Sequence, residues 1–172
     1  MSSEPKEWDE KVDITWKEYF NPPWNIPHIG IVALARKLEE KIGKEKALEI
    51  LDEVATNFSK DTMTQLLKDK QVGCFHDALV VFASLIQSHP MYDIALETDM
   101  GEVTESKRVS NVTKCLWADT FREMDGDIGF IWACKQDYAL ASLIHPKFKL
   151  HRTKTLMQGD DCCDFTWYWE ED

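Results

Sequence analysis

The apolar positions change period along the chain. Spacing of three and four residues dominates up to Ser88, and alternation by two appears in stretches after it. Asp9 to Phe20 predicts a short helix with Val12, Trp16, Tyr19 and Phe20 on one face, broken by Asn21-Pro22-Pro23. From Pro27, the positions Ile29, Val32, Ala33, Ala35, Leu38 and Ile42 predict a second helix, ended by Gly43 with Lys41 in its last turn. Ala47, Leu48, Leu51, Val54, Ala55 and Phe58 repeat the pattern between Lys44 and Lys70. A cap at Ser59 or Asp61 would divide that stretch into two helices, and both forms stay open. Phe75 to Ser88 is apolar nearly all round, as expected of a central buried helix stopped by His89-Pro90.

Alternation then takes over. Met91 to Met100 and Glu102 to Thr113 predict a hairpin turning at Gly101, with Tyr92, Ile94, Leu96 and Thr98 on one parity of its first strand. Lys114 to Met124 returns to helical spacing. Asp125-Gly126-Asp127 reads as a loop or an N-cap, because the rest of a calcium-binding loop is missing. Ile128 to Ile144 predicts an apolar helix that carries Cys134, Asp137, Tyr138 and Ala141 on one stripe, and His145-Pro146 stops it. Phe148 to Met157 and Cys162 to Trp169 predict two more strands around a turn at Gln158 to Asp161. Cys163, Phe165, Trp167 and Trp169 share one face of the last strand. The expected architecture is α+β: helices packed on one face of an antiparallel sheet, in a single domain with a helical N-terminal half. Residues 1–27 form an aromatic arm, stapled to the body or closing over a pocket, and residues 28–172 form the domain.

Composition narrows the function. The 172 residues are 44% hydrophobic and 30% charged, ordinary for a globular chain. A net charge of -11 repels phosphate backbones and argues against nucleic acid. The one basic run, Lys147 to Lys154, reads as a solvated strand edge. No apolar run reaches membrane-spanning length, and the polar start is unlike a secretory signal. Five cysteines, an odd number, point to free thiols in a reducing cytoplasm. A homo-oligomer stays open. Seven tryptophans point to a packed core, a ligand pocket or a partner surface.

The reactive side chains crowd into Cys134 to Phe165, with thiols and carboxylates at both ends of a helix-strand-turn-strand unit. The motifs there are Cys115-Leu116-Trp117, Cys134-x-x-Asp137-Tyr138, His145-Pro146, an Arg152-Thr153-Lys154 strand, and Gly159-Asp160-x-x-Cys163-Asp164-Phe165. From Lys114 to Phe165 the chain resembles the L-2-amino-thiazoline-4-carboxylic acid hydrolase family. Its ending is also similar to four-vinyl-reductase-like small-molecule-binding domains. Cys162, beside Cys163, departs from the family pattern.

The resemblance implies a cytoplasmic hydrolase that opens a C–N bond of a small cyclic compound. Such chemistry needs a nucleophile or activated water, a proton donor for the leaving nitrogen, and anions for a cationic substrate. Cys134 or Cys163 would attack. Asp137 and Asp164 would grip the amidine nitrogens or move protons. Arg152 would pair with a substrate carboxylate, with Cys115, Trp117 and Asp160 completing the binding site. His145 is a further candidate base. The expected cofactor set is empty. Its runner-up is a zinc ion on Cys115, Cys134 and Cys163, which has no C-x-x-C pair behind it. Two bland alternatives stand beside these readings: buried structural thiols, and a sensor or carrier that binds a small molecule or a metal without turnover.

Overall fold

The structure, a computed structural model, describes residues 16–87 and 95–171, with the side chains of 16–27, 86 and 87 left aside. His89, Pro90, Tyr92, Ile94 and the first part of the predicted arm lie outside the described residues. Helix α1 spans Trp16–Ile42, α2 spans Lys44–Leu67 and α3 spans Phe75–Gln87. Strands β1 (Leu96–Val103) and β2 (Lys107–Cys115) follow, then α4 (Leu116–Met124) and the short α5 (Gly126–Gly129). A π-helical turn, Phe130–Cys134, joins α5 to α6 (Gln136–Ile144). Strand β3 (Phe148–His151), a 3-10 turn (Leu156–Gln158) and β4 (Cys163–Trp169) close the chain. The four strands form one antiparallel sheet in the order β1-β2-β4-β3.

Helix α1 runs through Asn21-Pro22-Pro23 and Pro27, where the sequence predicts a break. Proline's fixed φ is itself helical, and the cost falls on single ladder hydrogen bonds that long flanking turns can absorb. Lys44 to Leu67 is one helix, which settles the open alternative. Gly43, at φ 88°, separates it from α1 in a conformation that favours glycine.

Two cores flank the sheet-covering helices. In one, Phe75, Ala78 and Val81 of α3 and Ala141 and Ile144 of α6 meet Phe148, Leu150 and Trp167 of the sheet. Phe82 packs its ring 4.3 Å from that of Trp167. Helix α3 is less enclosed than its composition predicts, since Val80 is exposed on its outer side. In the other core, Val32, Ala35 and Leu51 of α1 and α2 pack on Ala118, Phe121, Ile128 and Met157. The first two helices therefore form an outer layer behind α4–α6. Gly129 permits the closest approach within this core. A Cβ there would stand 2.5 Å from Phe121 Cβ and 2.7 Å from Met157 Sδ.

Two predicted chain reversals move. The β1–β2 turn lies at Thr104–Ser106, not at Gly101. Thr104 Oγ1 accepts from Lys107 N–H at 3.0 Å and its own N–H donates to the Lys107 carbonyl at 2.7 Å. Gly101 sits at an irregularity in the ladder between Met100 and Val103. The predicted strand Phe148 to Met157 stops at His151, because the next amides bond to side chains instead of a neighbouring strand. No described helix is long and apolar enough to cross a membrane.

Candidate functional site

The site is built on the π-turn. Asp125 caps α5, its side chain accepting from Asp127 N–H and Ile128 N–H. The chain then widens: Lys135 N–H reaches back to the Phe130 carbonyl at 2.8 Å, a five-residue step. Carbonyls displaced by that step find other donors. Gln136 Nε2 donates to the Ile131 carbonyl at 3.0 Å, and Arg152 Nη2 donates to the Cys134 carbonyl at 2.9 Å. The π-turn thus sets where Cys134 and Asp137 stand relative to the sheet. It also prepares an acceptor for Arg152.

Arg152 comes from the connection between β3 and β4, which is held by side chains. Asp164 Oδ1 accepts from Thr153 N–H at 2.9 Å and Lys154 N–H at 2.5 Å, and its Oδ2 accepts from the Thr153 hydroxyl at 2.6 Å. Asp160 Oδ2 accepts from Thr155 N–H at 2.7 Å. Cys163 Sγ accepts from Leu156 N–H at 3.2 Å. Partial burial works against the charge of Asp164, but the Thr153 and Lys154 donors prevail and its pKa is lowered. Asp160 and Asp164 therefore organise the loop and do not line the cavity.

The cavity, of about 520 Å³, lies between the sheet and the π-turn helix. Cys115, Trp117, Cys134, Asp137, Arg152 and Cys163 all line it. Arg152 Nη1 pairs with Asp137 Oδ2 at 2.8 Å, and its side chain is only 2% exposed. Its guanidinium carbon lies 5.3 Å from the Tyr138 ring centroid and 4.9 Å from that of Phe165. Those contacts commit Arg152 to protein partners, so a ligand carboxylate would compete with Asp137 for it. It is also no solvated edge charge. Asp137 keeps 30% of its side-chain surface, and that surface opens onto the cavity it lines.

Burial dominates the titration of the site. It pushes the Asp137 carboxyl up to about 6, against the opposing pull of Arg152. The Cys134 thiol is pushed up to about 12 by burial and then by Asp137, with Arg152 opposing. The Cys115 thiol rises to about 11, again mainly through burial. The Cys163 thiol is also raised by burial, but Leu156 N–H, Arg152 and Thr155 all pull the other way. Burial opposes the charge of Arg152, and Asp137 and Cys134 more than compensate.

Several candidates stand elsewhere. His145 Nδ1 accepts from Lys147 N–H at 3.1 Å and its ring stacks on Trp169 at 4.6 Å, which gives it a structural role at the helix stop. Cys162 falls on the other parity of the closing segment and does not line the cavity. Among the described residues, no group of three or more His, Cys, Asp or Glu side chains could hold a metal ion. Cys115, Cys134 and Cys163, the expected runner-up zinc ligands, share the cavity from three separate elements. The wall from β1 and β2 contains residues outside the candidate set expected from sequence: Leu96, Thr98, Met100, Arg108 and Ser110. The two-residue parity Arg108, Ser110, Val112 is the signal that places them on one face.

The sequence profile described as L-2-amino-thiazoline-4-carboxylic acid hydrolase matches residues 26–167, and the chain belongs to that family. No curated protein matches it. Among solved structures it is similar to the phenol-responsive sensory domain of the transcription activator PoxR with phenol, at 11% identity and a TM-score of 0.48. That match covers 81% of this chain and 73% of the other. It is also similar to a trafficking protein particle complex subunit 3 from Naegleria fowleri covalently bound to palmitic acid, at 11% identity and a TM-score of 0.44. Here the coverage is 84% of this chain and 97% of the other.

Proposed function

We propose that this member of the L-2-amino-thiazoline-4-carboxylic acid hydrolase family hydrolyses a C–N bond of a small cyclic amidine-like compound, with Cys163 as nucleophile and Asp137 moving the proton. The observation that carries the reading is the convergence of Cys134, Cys163, Asp137 and Arg152 on one cavity of about 520 Å³, a size suited to a small molecule. Five free cysteines among the described residues support placing the reaction in a reducing cytoplasm.

Asp137 supports the proton-transfer role. A carboxyl pushed up to about 6 is ionised near neutrality, yet is basic enough to take and return a proton. Arg152 holds its Oδ2, which leaves Oδ1 for the substrate side. Cys163 is favoured over Cys134 because an N–H is aimed at its sulfur, which favours the thiolate. In the first step, the Cys163 sulfur attacks the cationic amidine carbon and its proton passes to Asp137. Asp137 then returns that proton to the ring nitrogen as the C–N bond breaks. In the second step, water attacks the carbon held on sulfur, Asp137 takes its proton, and Cys163 leaves as the thiol with that proton restored. Arg152 acts as a positioning residue, keeping Asp137 oriented.

A second reading, ligand binding without turnover, is favoured by the upward shifts of all three cavity thiols. The two readings separate on incubating the protein with 2-amino-thiazoline-4-carboxylate, quenching in acid and weighing the chain. An adduct on Cys163, lost in Cys163→Ser together with at least roughly a 10³-fold drop in turnover, is the expected result. Unchanged turnover in both Cys163→Ser and Cys134→Ser would remove the cysteine route. Binding with no turnover in the unaltered protein would favour the second reading.

A further inference from the structure

With Arg152 committed to Asp137 and the Cys134 carbonyl, the cavity retains one other cationic side chain, Arg108 of β2. It stands beside Trp167 in the strand register, on the wall made by the hairpin. Among the described residues it pairs with no carboxylate. Its one hydrogen bond there is from Nη2 to Met100 Sδ at 3.4 Å, and a thioether is a weak acceptor. A partly buried guanidinium left with a sulfur partner beside an apolar cavity keeps most of its donors for a ligand. A planar fork of N–H groups matches a carboxylate in particular.

The opposite wall carries Asp137, which lines the cavity and whose Oδ2 is held by Arg152, so that its Oδ1 is not taken by that pair. Between the two walls the surface is mostly apolar, from Leu96, Val112 and Leu140. We infer that Arg108 is the anchor for a ligand carboxylate, and that the cavity selects small zwitterions whose cationic end lies toward Asp137 and whose anionic end lies at the hairpin. This inference rests on the proposed function for the identity of the reacting end, but the anchor itself is a binding property.

The test measures binding, so that it stands apart from turnover. Two probes are titrated by calorimetry into the full chain: 2-amino-thiazoline-4-carboxylate and its neutral 4-carboxamide. The unaltered protein is expected to prefer the carboxylate, and Arg108→Gln to weaken carboxylate binding by roughly 10- to 100-fold, as for loss of a charge-assisted pair. Carboxamide affinity should change much less. Arg108→Glu should abolish carboxylate binding, and a circular-dichroism melt checks that both variants fold. Equal affinity of Arg108→Gln and the unaltered protein for the carboxylate would overturn the anchor, even if turnover and its dependence on Asp137 persist. Conversely, carboxylate binding that depends on Arg108, in a protein with no turnover, would uphold the anchor while the hydrolase reading falls.

Discussion

The sheet contains two antiparallel reversals built in opposite ways. Between β1 and β2 the chain turns in three residues, Thr104 to Ser106, and the flanking strands are tied by a backbone ladder. Its ion pairs, Lys107 with Glu102 and Lys114 with Glu97, are exposed. Between β3 and β4 the chain makes a longer excursion with little ladder of its own. Asp164, Asp160 and Cys163 catch its amides, and Arg152 pairs with Asp137 beneath it. A ladder needs only regular backbone, so its side chains are free to vary or to face a ligand. A connection held by side chains specifies the position of every group it carries, at the cost of depending on each one.

The difference predicts how the two regions break. Arg152→Ala should have the largest effect, about 3–5 kcal/mol, because it removes a buried guanidinium and leaves the part-buried Asp137 carboxylate without its partner. The double variant Arg152→Met with Asp137→Asn should recover most of that loss. Chemical denaturation of the three proteins checks both, and a loss of less than about 1 kcal/mol would mean that the pair does not hold the connection.

Next is the pH response of the same pair. The folded protein holds the Asp137 proton more tightly than the unfolded chain, since its carboxyl is raised from 3.8 to about 6. Its contribution to stability is therefore fully present below pH 3.8 and is lost as pH rises through about 6. Melting curves across that window should show the decline, and Asp137→Asn should lack it. If Asp137 is the base, turnover in the same window should move the other way, rising toward neutrality.

Asp164→Ala should cost about 1–3 kcal/mol through loss of one acceptor serving three donors. Amide exchange of Thr153 and Lys154 should accelerate more than that of the β2–β4 ladder. The smallest effect should be at the hairpin. Lys107→Ala removes an exposed pair and should change stability by less than about 1 kcal/mol. A larger loss there would erase the distinction between the two reversals.

Periodicity made the helices legible where one face is buried and the other wet: Ala47, Leu51 and Ala55 on α2 stand at helical spacing and are buried. It also gave the inward face of β4, with Cys163, Phe165 and Trp167 all lining the cavity. The hairpin turn was misplaced because Gly101 reads as a turn residue, whereas the observed turn is closed by the Thr104 side chain. The strand after Phe148 was overextended because alternation records which side chains face in. It cannot record whether an amide finds a strand or a carboxylate.

The sequence alone determined the α+β class, the dense chemistry between Cys134 and Phe165, and the set Cys115, Cys134, Asp137, Arg152 and Cys163 that lines the cavity. The class and the dense stretch follow from local spacing and residue type, which act over a few residues, and the set follows from the resemblance to the family. Only the tertiary structure decided what each group does there. It turned Asp160 and Asp164 into loop anchors and spent Arg152 on Asp137. It also brought Arg108 from a distant strand to the opposite wall. Partner choice, burial and the resulting proton affinities depend on groups far apart in sequence, and they exist only once the sheet and the π-turn helix have closed on each other.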